Sequence, residues 1–338
     1  MPYNSVVARG SGPTYSSTPG THPLIPEDVQ REIIKGATNK SAALQMFKKR
    51  NMGTAQQRMP VLSTKPTAYW VTGGDTGLKQ TTSLSWENLF LNAEEIAVNV
   101  PIPINVLEDT SYKLWDEIKP EIEEAIAFRL DMAVFFGINL PSSWTTGSVL
   151  SHALAASNTV TTATLTPNDV GSEFSAIMAA VEADGFVPDG FYMRNNMTAL
   201  LRNTREATTN AFMFLPANPG LENTAFRGTV FGLKAVASPT GTFEEYDSLT
   251  SISPYGVRAI TGQWNCGIIG VRQDVKGELF REGIIQDGTG AIQFNLMQQD
   301  MVNMRFVARY AFAIASPINR LNPTAATRSP FAVLLDAS

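Results

Sequence analysis

Two histidines, one cysteine and a few clustered carboxylates are the side chains of this sequence that invite a chemical reading. His22 and His152 each sit in a Ser/Thr-rich stretch that reads as irregular, and Cys266 stands alone. A zinc-type site needs several Cys or His ligands at short spacing, so this set cannot supply one. A carboxylate-only site for a hard cation needs a loop of regularly placed oxygens, and the sequence has no such signature. Glu108 and Asp109 resemble an acid/base pair in composition alone. Adjacent residues at a helix start point to different sides, and the helix dipole accounts for both as first-turn carboxylates. Glu121, Glu123 and Glu124 read as one solvated helix face. Gly73-Gly74-Asp75-Thr76-Gly77 lacks the Lys-Ser/Thr pair and the strand-to-helix setting of a phosphate loop. It reads as a turn between two strand-like runs. No nucleophile, base and orienting group can be assembled. No residue is therefore assigned to catalysis, to a cofactor or to a metal.

Cys266, close to Trp264 on a strand-like segment, reads as a buried core thiol. A single cysteine excludes an intrachain disulfide and fits a reducing compartment. The chain has 338 residues, room for one large domain or two modest ones. Its charged fraction, 17 %, is below the usual ~25 %, as expected where neighbouring molecules cover much of the surface. A net charge of −5 argues against a dedicated nucleic-acid binder, which carries a basic face. No run of about 18 apolar residues is present, so no membrane-spanning helix is expected. The polar N-terminus does not read as a secretion signal.

The elements that would position any site begin with a strand of period two. Ile96, Val98, Val100, Ile102, Ile104 and Val106 fall on one face. A long helix is expected to open at Glu108, Asp109, Thr110 and Ser111, which cap its orphan amides. Ile118, Ile122, Ala125, Ile126, Arg129 and Ala133 step round one side of it, and Gly137 is its stop. Pro120 either kinks this helix or opens a second one. Residues 1–23 are rich in Ser, Thr, Gly and Pro and cannot bury enough apolar surface to order alone. A short helix is expected over 26–36, from Pro26 to Gly36, with a narrow stripe of Val29, Ile33 and Ile34 that needs a docking surface. Residues 40–95 scatter Met52, Met59, Tyr69, Trp70, Leu84 and Trp86 among polar residues. They read as a long two-stranded hairpin leaving the body, and such a hairpin must lie on something to be stable. Lys48, Lys49 and Arg50 at its base read as a solvated face or as a contact for a neighbour's carboxylates. Residues 138–166 read as a loop or weak hairpin. A helix follows, capped by Thr166 with Pro167 and Asp169 in its first turn, buried through Val170, Phe174, Ile177, Met178 and Val181, and ended by Gly185. Near residue 302 a closing strand alternates Val302, Met304, Phe306, Ala308, Tyr310, Phe312 and Ile314 against Arg305 and Arg309. Residues 316–338 read as mostly irregular.

The order of these segments resembles the major capsid proteins of tailed bacteriophages, with their Hong Kong 97-like capsid fold. The strand and long helix resemble the family's spine, and Trp86, Phe90 and Ala93 resemble the return of its extended loop. Val187–Asn196 resembles the strand that delivers a short helix in the axial domain. Gly228–Pro239 resembles the following strand pair, and Gln299–Phe312 the closing strand. The resemblance covers roughly residues 80–322 and rests on the order of ordinary elements. It implies an α+β fold with an N-terminal arm over 1–50 and an extended loop over 51–95. The peripheral domain with the spine helix would span 96–166, completed by 305–338, and the axial domain 167–304. Because the family's spine helix bends, the resemblance favours a kink at Pro120.

The implied function is structural. Copies would assemble into pentamers and hexamers of an icosahedral phage head around double-stranded DNA, built in the cytoplasm of the bacterial host. An acidic wall suits a genome that must slide and not adhere. The implied partners are further copies of the chain, a portal protein, a separate scaffolding protein, a decoration protein on some shells, and packaged DNA held by proximity alone; no membrane is implied. The alternative is an encapsulin-type nanocompartment of the same fold. A hydrolase would need convergent acids in a pocket, and the sequence offers none. Some family members weld subunits through a loop lysine and a neighbour's asparagine, aided by a glutamate. Lys65 and Lys79 lie on the loop here and Asn319 and Asn322 near the C-terminal end, but no glutamate follows Glu282. The resemblance therefore implies an uncrosslinked shell.

Overall fold

A computed structural model describes residues 41–71, 79–109, 114–162, 170–204, 227–238, 240–250 and 256–336. The helix expected at 26–36, the Gly73–Gly77 turn, Thr110 and Ser111, the Thr166–Asp169 cap and His22 lie outside these residues. The described chain enters through α1 (Ala42–Met46), capped by the Ser41 hydroxyl, which accepts from Leu44 N. Phe47 drops into the core, and β1 (Lys48–Asn51) follows as an exposed edge strand. β2 (Gln56–Thr64) and β3 (Ser85–Asn92) form the expected antiparallel hairpin.

β4 (Glu94–Pro103) leads back into the body. Ile96, Val98 and Val100 lean on the core while Glu95, Ala97 and Asn99 face out, the alternation expected. The strand stops at Pro103, short of Val106. Its partner strand begins at Met301, opposite Pro103, so no ladder remains for Ile104 and Val106. Both lie in a helical stretch, α2 (Ile104–Asp109), which also takes up Glu108 and Asp109. The long helix is α3 (Leu114–Asp131), and it runs through Pro120, which excludes a second helix opening there. Ile122, Ile126, Ala127 and Leu130 form its buried side, whereas Ala125 and Arg129 are exposed. At 3.6 residues per turn the 122–126–130 row and residue 127 make one stripe, and 125 and 129 fall outside it, beyond its Ile122 edge. Met132–Phe136 continue as one π turn with all five side chains buried, and Gly137 ends it at φ 78°, as expected.

Residues 138–166 contain structure the sequence reading missed: α4 (Val149–Ala155) and β5 (Thr159–Thr161). Ser148 and Ser151 cap α4 reciprocally, so His152 lies on a helix and not in an irregular segment. α5 (Val170–Ala183) buries Val170, Phe174, Ile177 and Val181, with Met178 half-buried, and Gly185 turns the chain at φ 77°. β6 (Gly190–Arg194) delivers α6 (Met197–Asn203). β7 (Arg227–Val230) and β8 (Leu233–Ser238) pair across a tight turn, and α7 (Thr242–Thr250) precedes β9 (Val257–Gly262). Trp264 and Cys266 are buried in a 3-10 turn, not on a strand. β10 (Gly267–Phe280) is followed by the small hairpin of β11 (Ile284–Gln286) and β12 (Ile292–Asn295), then by β13 (Met301–Ile314). The supposedly irregular tail carries β14 (Phe331–Leu335). β14 is interior to its sheet and buried on both faces, so it reads as a continuous apolar run and lacks the alternation that marks a half-exposed strand.

The strands form a four-stranded sheet, β1-β10-β13-β4, and a six-stranded sheet, β5-β14-β9-β6-β8-β7. One aromatic cluster joins them. Phe47 packs within 5.5 Å of Phe135 and Phe312 and 5.3 Å of Trp264, centroid to centroid, and Phe135 stacks on Tyr192 at 4.2 Å. Phe312 belongs to the smaller sheet and Tyr192 to the larger, and the π turn supplies Phe135 between them. Gly267 makes room for this: a Cβ there would lie 2.2 Å from the Phe47 ring.

Asp131 ties α1 to the end of α3. Its carboxylate accepts from Ser41 Oγ (2.6 Å), Ala42 N (2.8 Å) and Ala43 N (3.0 Å). Among the described residues no cation contacts it, and burial pushes the carboxyl up to about 6, the three hydrogen bonds offsetting only part of that rise. Between the unfolded value of 3.8 and about 6, the folded chain holds a proton that the unfolded chain has released. Stability is therefore expected to fall as pH rises through that window, by at most ~3 kcal/mol for a rise of this size. The urea midpoint of the wild type minus that of Asp131→Asn, followed from pH 4 to 7, should show this slope. A difference that is flat with pH would contradict it.

Candidate assembly surface

The hairpin of β2 and β3 is rooted in the body and bare beyond its root. At the root, Met59 and Leu91 are buried with Met52, Ala311 and Ala313. Trp144 Nε1 donates to Asn92 O (3.0 Å), and Asn92 Nδ2 donates to Ser143 O (2.9 Å). One side is held by the segment after β13: Ile318 N donates to Leu62 O (3.2 Å) and Arg320 Nη2 to Pro66 O (3.1 Å). Further out, Ser85 Oγ bonds Ser63 Oγ and Thr64 Oγ1 across the strands, and the Tyr69 hydroxyl donates to Gln80 O. The apolar side chains here find little of their own chain. Trp70 is 98 % exposed, Trp86 60 % and Leu84 53 %. Exposed aromatic surface of this size marks a place where another molecule sits.

β1 presents Lys48, Lys49 and Arg50 in an exposed row on the open edge of the four-stranded sheet. Positive charge on an open edge discourages unwanted strand addition. The solvated reading of this basic run matches its exposure.

The remaining residues singled out in the sequence do not converge. Glu121 and Glu123 are exposed on α3, and Glu123 lies 3.9 Å from Lys119 in a helical ion pair. Cys266 is buried, and its thiol is pushed up to about 12 by burial and by the charge of Asp189. His152 Nδ1 lies 3.0 Å from Ser329 Oγ; burial and the nearby Arg328 cation both lower its proton affinity. Among the described residues no cluster of three or more His, Cys, Asp or Glu could hold a metal ion. No described helix is long and apolar enough to cross a membrane.

Asn319 and Asn322 meet at Asp184, a carboxylate far upstream of the C-terminal stretch. Asn322 Nδ2 donates to Asp184 Oδ1 (2.8 Å), and Asn319 Nδ2 donates to Asp184 O. Asp184 Oδ2 accepts from Asn158 Nδ2 (2.7 Å) and Ser329 N (2.8 Å). Asn319 Oδ1 accepts from Asn322 N, and Asn322 Oδ1 from Thr324 N and Thr327 Oγ1. Each carboxamide is thus bonded through both its nitrogen and its oxygen. They staple the segment between β13 and β14 to the end of α5. Nothing in the sequence near Asp184 marks it; only the fold brings it together with Asn158 and the 319–329 segment.

A two-sheet body with a spine helix and a rooted apolar hairpin is the architecture of a shell subunit, and the fold is the Hong Kong 97-like capsid fold. The chain belongs to the phage capsid family, whose sequence model matches residues 22–319. It is 23 % identical over 288 residues to the major capsid protein of Staphylococcus phage 80alpha, covering 84 % of this chain and 79 % of that protein. A solved chain from Microbacterium phage Oxtober96 superposes with a TM-score of 0.76 at 30 % identity, covering 93 % of this chain and 96 % of that one. One from Mycobacterium phage Adephagia gives 0.77 at 27 % identity over the same shares.

Particles of this chain, boiled in denaturant, should run as single-chain bands on a gel, because Asn319 and Asn322 are engaged as staples. A ladder of covalent multimers that disappears in Lys65→Ala or Lys79→Ala would refute this.

Proposed function

We propose that this chain is the major capsid protein of a tailed phage, assembling through pentamers and hexamers into an icosahedral head around double-stranded DNA. The observation that carries the reading is the hairpin: a two-stranded element is marginal alone, and this one holds out Trp70, Leu84 and Trp86 with little of its own chain to cover them. Repeated over a closed shell, many modest contacts of this kind sum to a stable particle through multivalency. In this reading residues 1–50 form an arm, 51–95 the extended loop, 96–166 with 305–338 the peripheral domain and 167–304 the axial domain. The role needs no catalysis.

The reading extends to the head's surroundings. A portal protein, a separate scaffolding protein and a decoration protein on some shells are its expected partners, and assembly is placed in the host cytoplasm. An encapsulin-type compartment shares the fold, but the matched family and relatives are those of phage heads.

Purified protein should sediment as large assemblies and show closed shells by electron microscopy. Replacing residues 66–82 with a short Asn-Gly turn should leave a folded subunit, with unchanged circular dichroism, that no longer closes shells. A wild-type chain that stays a compact monomer under every condition would end this reading.

A further inference from the structure

A cavity of about 260 Å³ lies where the hairpin meets the body. Leu62 and Glu87 of the hairpin line it, with His152 of α4 and with Ser316 and Arg328 of the segment between β13 and β14. That segment, residues 316–329, is a strap. It reaches the hairpin through Ile318 N, which donates to Leu62 O (3.2 Å), and through Arg320 Nη2, which donates to Pro66 O (3.1 Å). The other strand of the hairpin is held apart from the strap, by Asn92 at Ser143 and Trp144. With a cavity at the junction, little packing opposes a swing of the hairpin about that root.

Arg328 closes the strap on itself. It is 4 % exposed, and its guanidinium donates to Ser316 O (2.8 Å), Ser316 Oγ (3.2 Å) and Asn322 O (3.0 Å), all neutral oxygens. The strap's far end meets α4, where His152 Nδ1 lies 3.0 Å from Ser329 Oγ. That hydroxyl oxygen accepts from Phe331 N (3.2 Å), so its proton is free to point at the ring, which suits a neutral His152 accepting at Nδ1. The charged groups that face this site are Arg328 from the strap, Glu87 from β3 and Asp184, bonded to Ser329 N, from the end of α5. The rest of α4, and the π turn and β14 packed against it, carry no charged side chain. Burial and the Arg328 cation prevail and lower the proton affinity of the ring. A proton taken up from solvent at Nδ1 sets a second buried cation beside Arg328.

We propose that residues 316–329 are a proton-released latch: protonation of His152 loosens the strap from Ser329 onward, Ile318 lets go of Leu62, and the hairpin is free to pivot on its Asn92 root. The hairpin is thus held at one angle near neutral pH and freed in acid. The latch lies within one chain, so it goes beyond the shell reading and does not rest on it.

The closed strap holds His152 neutral, and an open strap restores its ordinary value of 6.5. Opening therefore takes up a proton as pH falls below that value. It becomes easier by up to about tenfold per pH unit, until the closed form is protonated too. Hydrogen–deuterium exchange of the full chain between about pH 7 and about pH 5, corrected for the intrinsic pH dependence of amide exchange, tests this. Exchange at the Ile318 amide should speed up by about tenfold per pH unit. Ala93 N, bonded to Ala55 O at the hairpin root, should stay slow. His152→Gln, with a neutral side chain, should abolish the acceleration; His152→Asn takes its place if circular dichroism shows the first variant misfolded. A flat wild-type profile at Ile318 would overturn the latch. So would acceleration that persists in the His152 variant, or that appears equally at Ala93. Each of these results leaves the shell reading intact.

Discussion

The packing of Phe47 against Phe135, Phe312 and Trp264 is the contact on which the rest of the body depends. Each of these rings arrives from a different part of the chain: the entry segment, the end of the spine helix, the closing strand and the turn before β10. Two sheets that share no strand are joined there. Aromatic rings suit such a junction because edge-to-face contacts are favourable over a range of angles and each ring buries a large area. The π turn at Met132–Phe136 belongs to the same constraint. All five of its consecutive side chains are buried, so the core surrounds this turn on every side.

Around this apolar centre, two buried carboxylates fix the segments that do not pack well by themselves. Asp131 holds the start of α1 by its backbone amides, and Asp184 holds the segment between β13 and β14. Each acts as an acceptor for several donors from elements distant in sequence. Removing such a group strands its donors in a place that water does not reach, which is costlier than the loss of any one bond. The body is thus closed by polar staples where the sequence supplies too few apolar residues for packing alone.

The parts of this architecture that were legible in the sequence are those with one wet face. The Ile96–Ile102 alternation, the closing strand from Met304 to Tyr310 and the buried stripe of α5 each show their period because the opposite side meets water. The hairpin was legible for a different reason: apolar residues scattered through a long polar stretch with a Gly-rich turn. β14 was not legible, because burial on both faces removes the alternation. α4 was hidden by its Ser/Ala-rich composition, although Ser148 and Ser151 were a start signal in plain view. The end of β4 at Pro103 depends on where its partner strand begins, and the Asp184 staple on three parts of the chain, Asn158, Asp184 and the 319–329 segment. Neither leaves a local mark. The assembly surface was legible as a surplus, apolar side chains with nothing nearby to cover them, while the cavity beside His152 exists only once α4, the hairpin and the 316–329 segment come together.

Burial of Cys266 has a meaning that only repetition brings out. In a particle of many identical subunits, every exposed thiol would recur at each lattice position, at spacings that favour disulfide links between neighbours. The thiolate is the reactive form, and here burial and the adjacent Asp189 charge push the thiol up to about 12, far from ionisation at neutral pH. The wall is thereby indifferent to the redox state of its surroundings: passage from a reducing to an oxidising medium neither stitches its subunits together nor damages them at this residue.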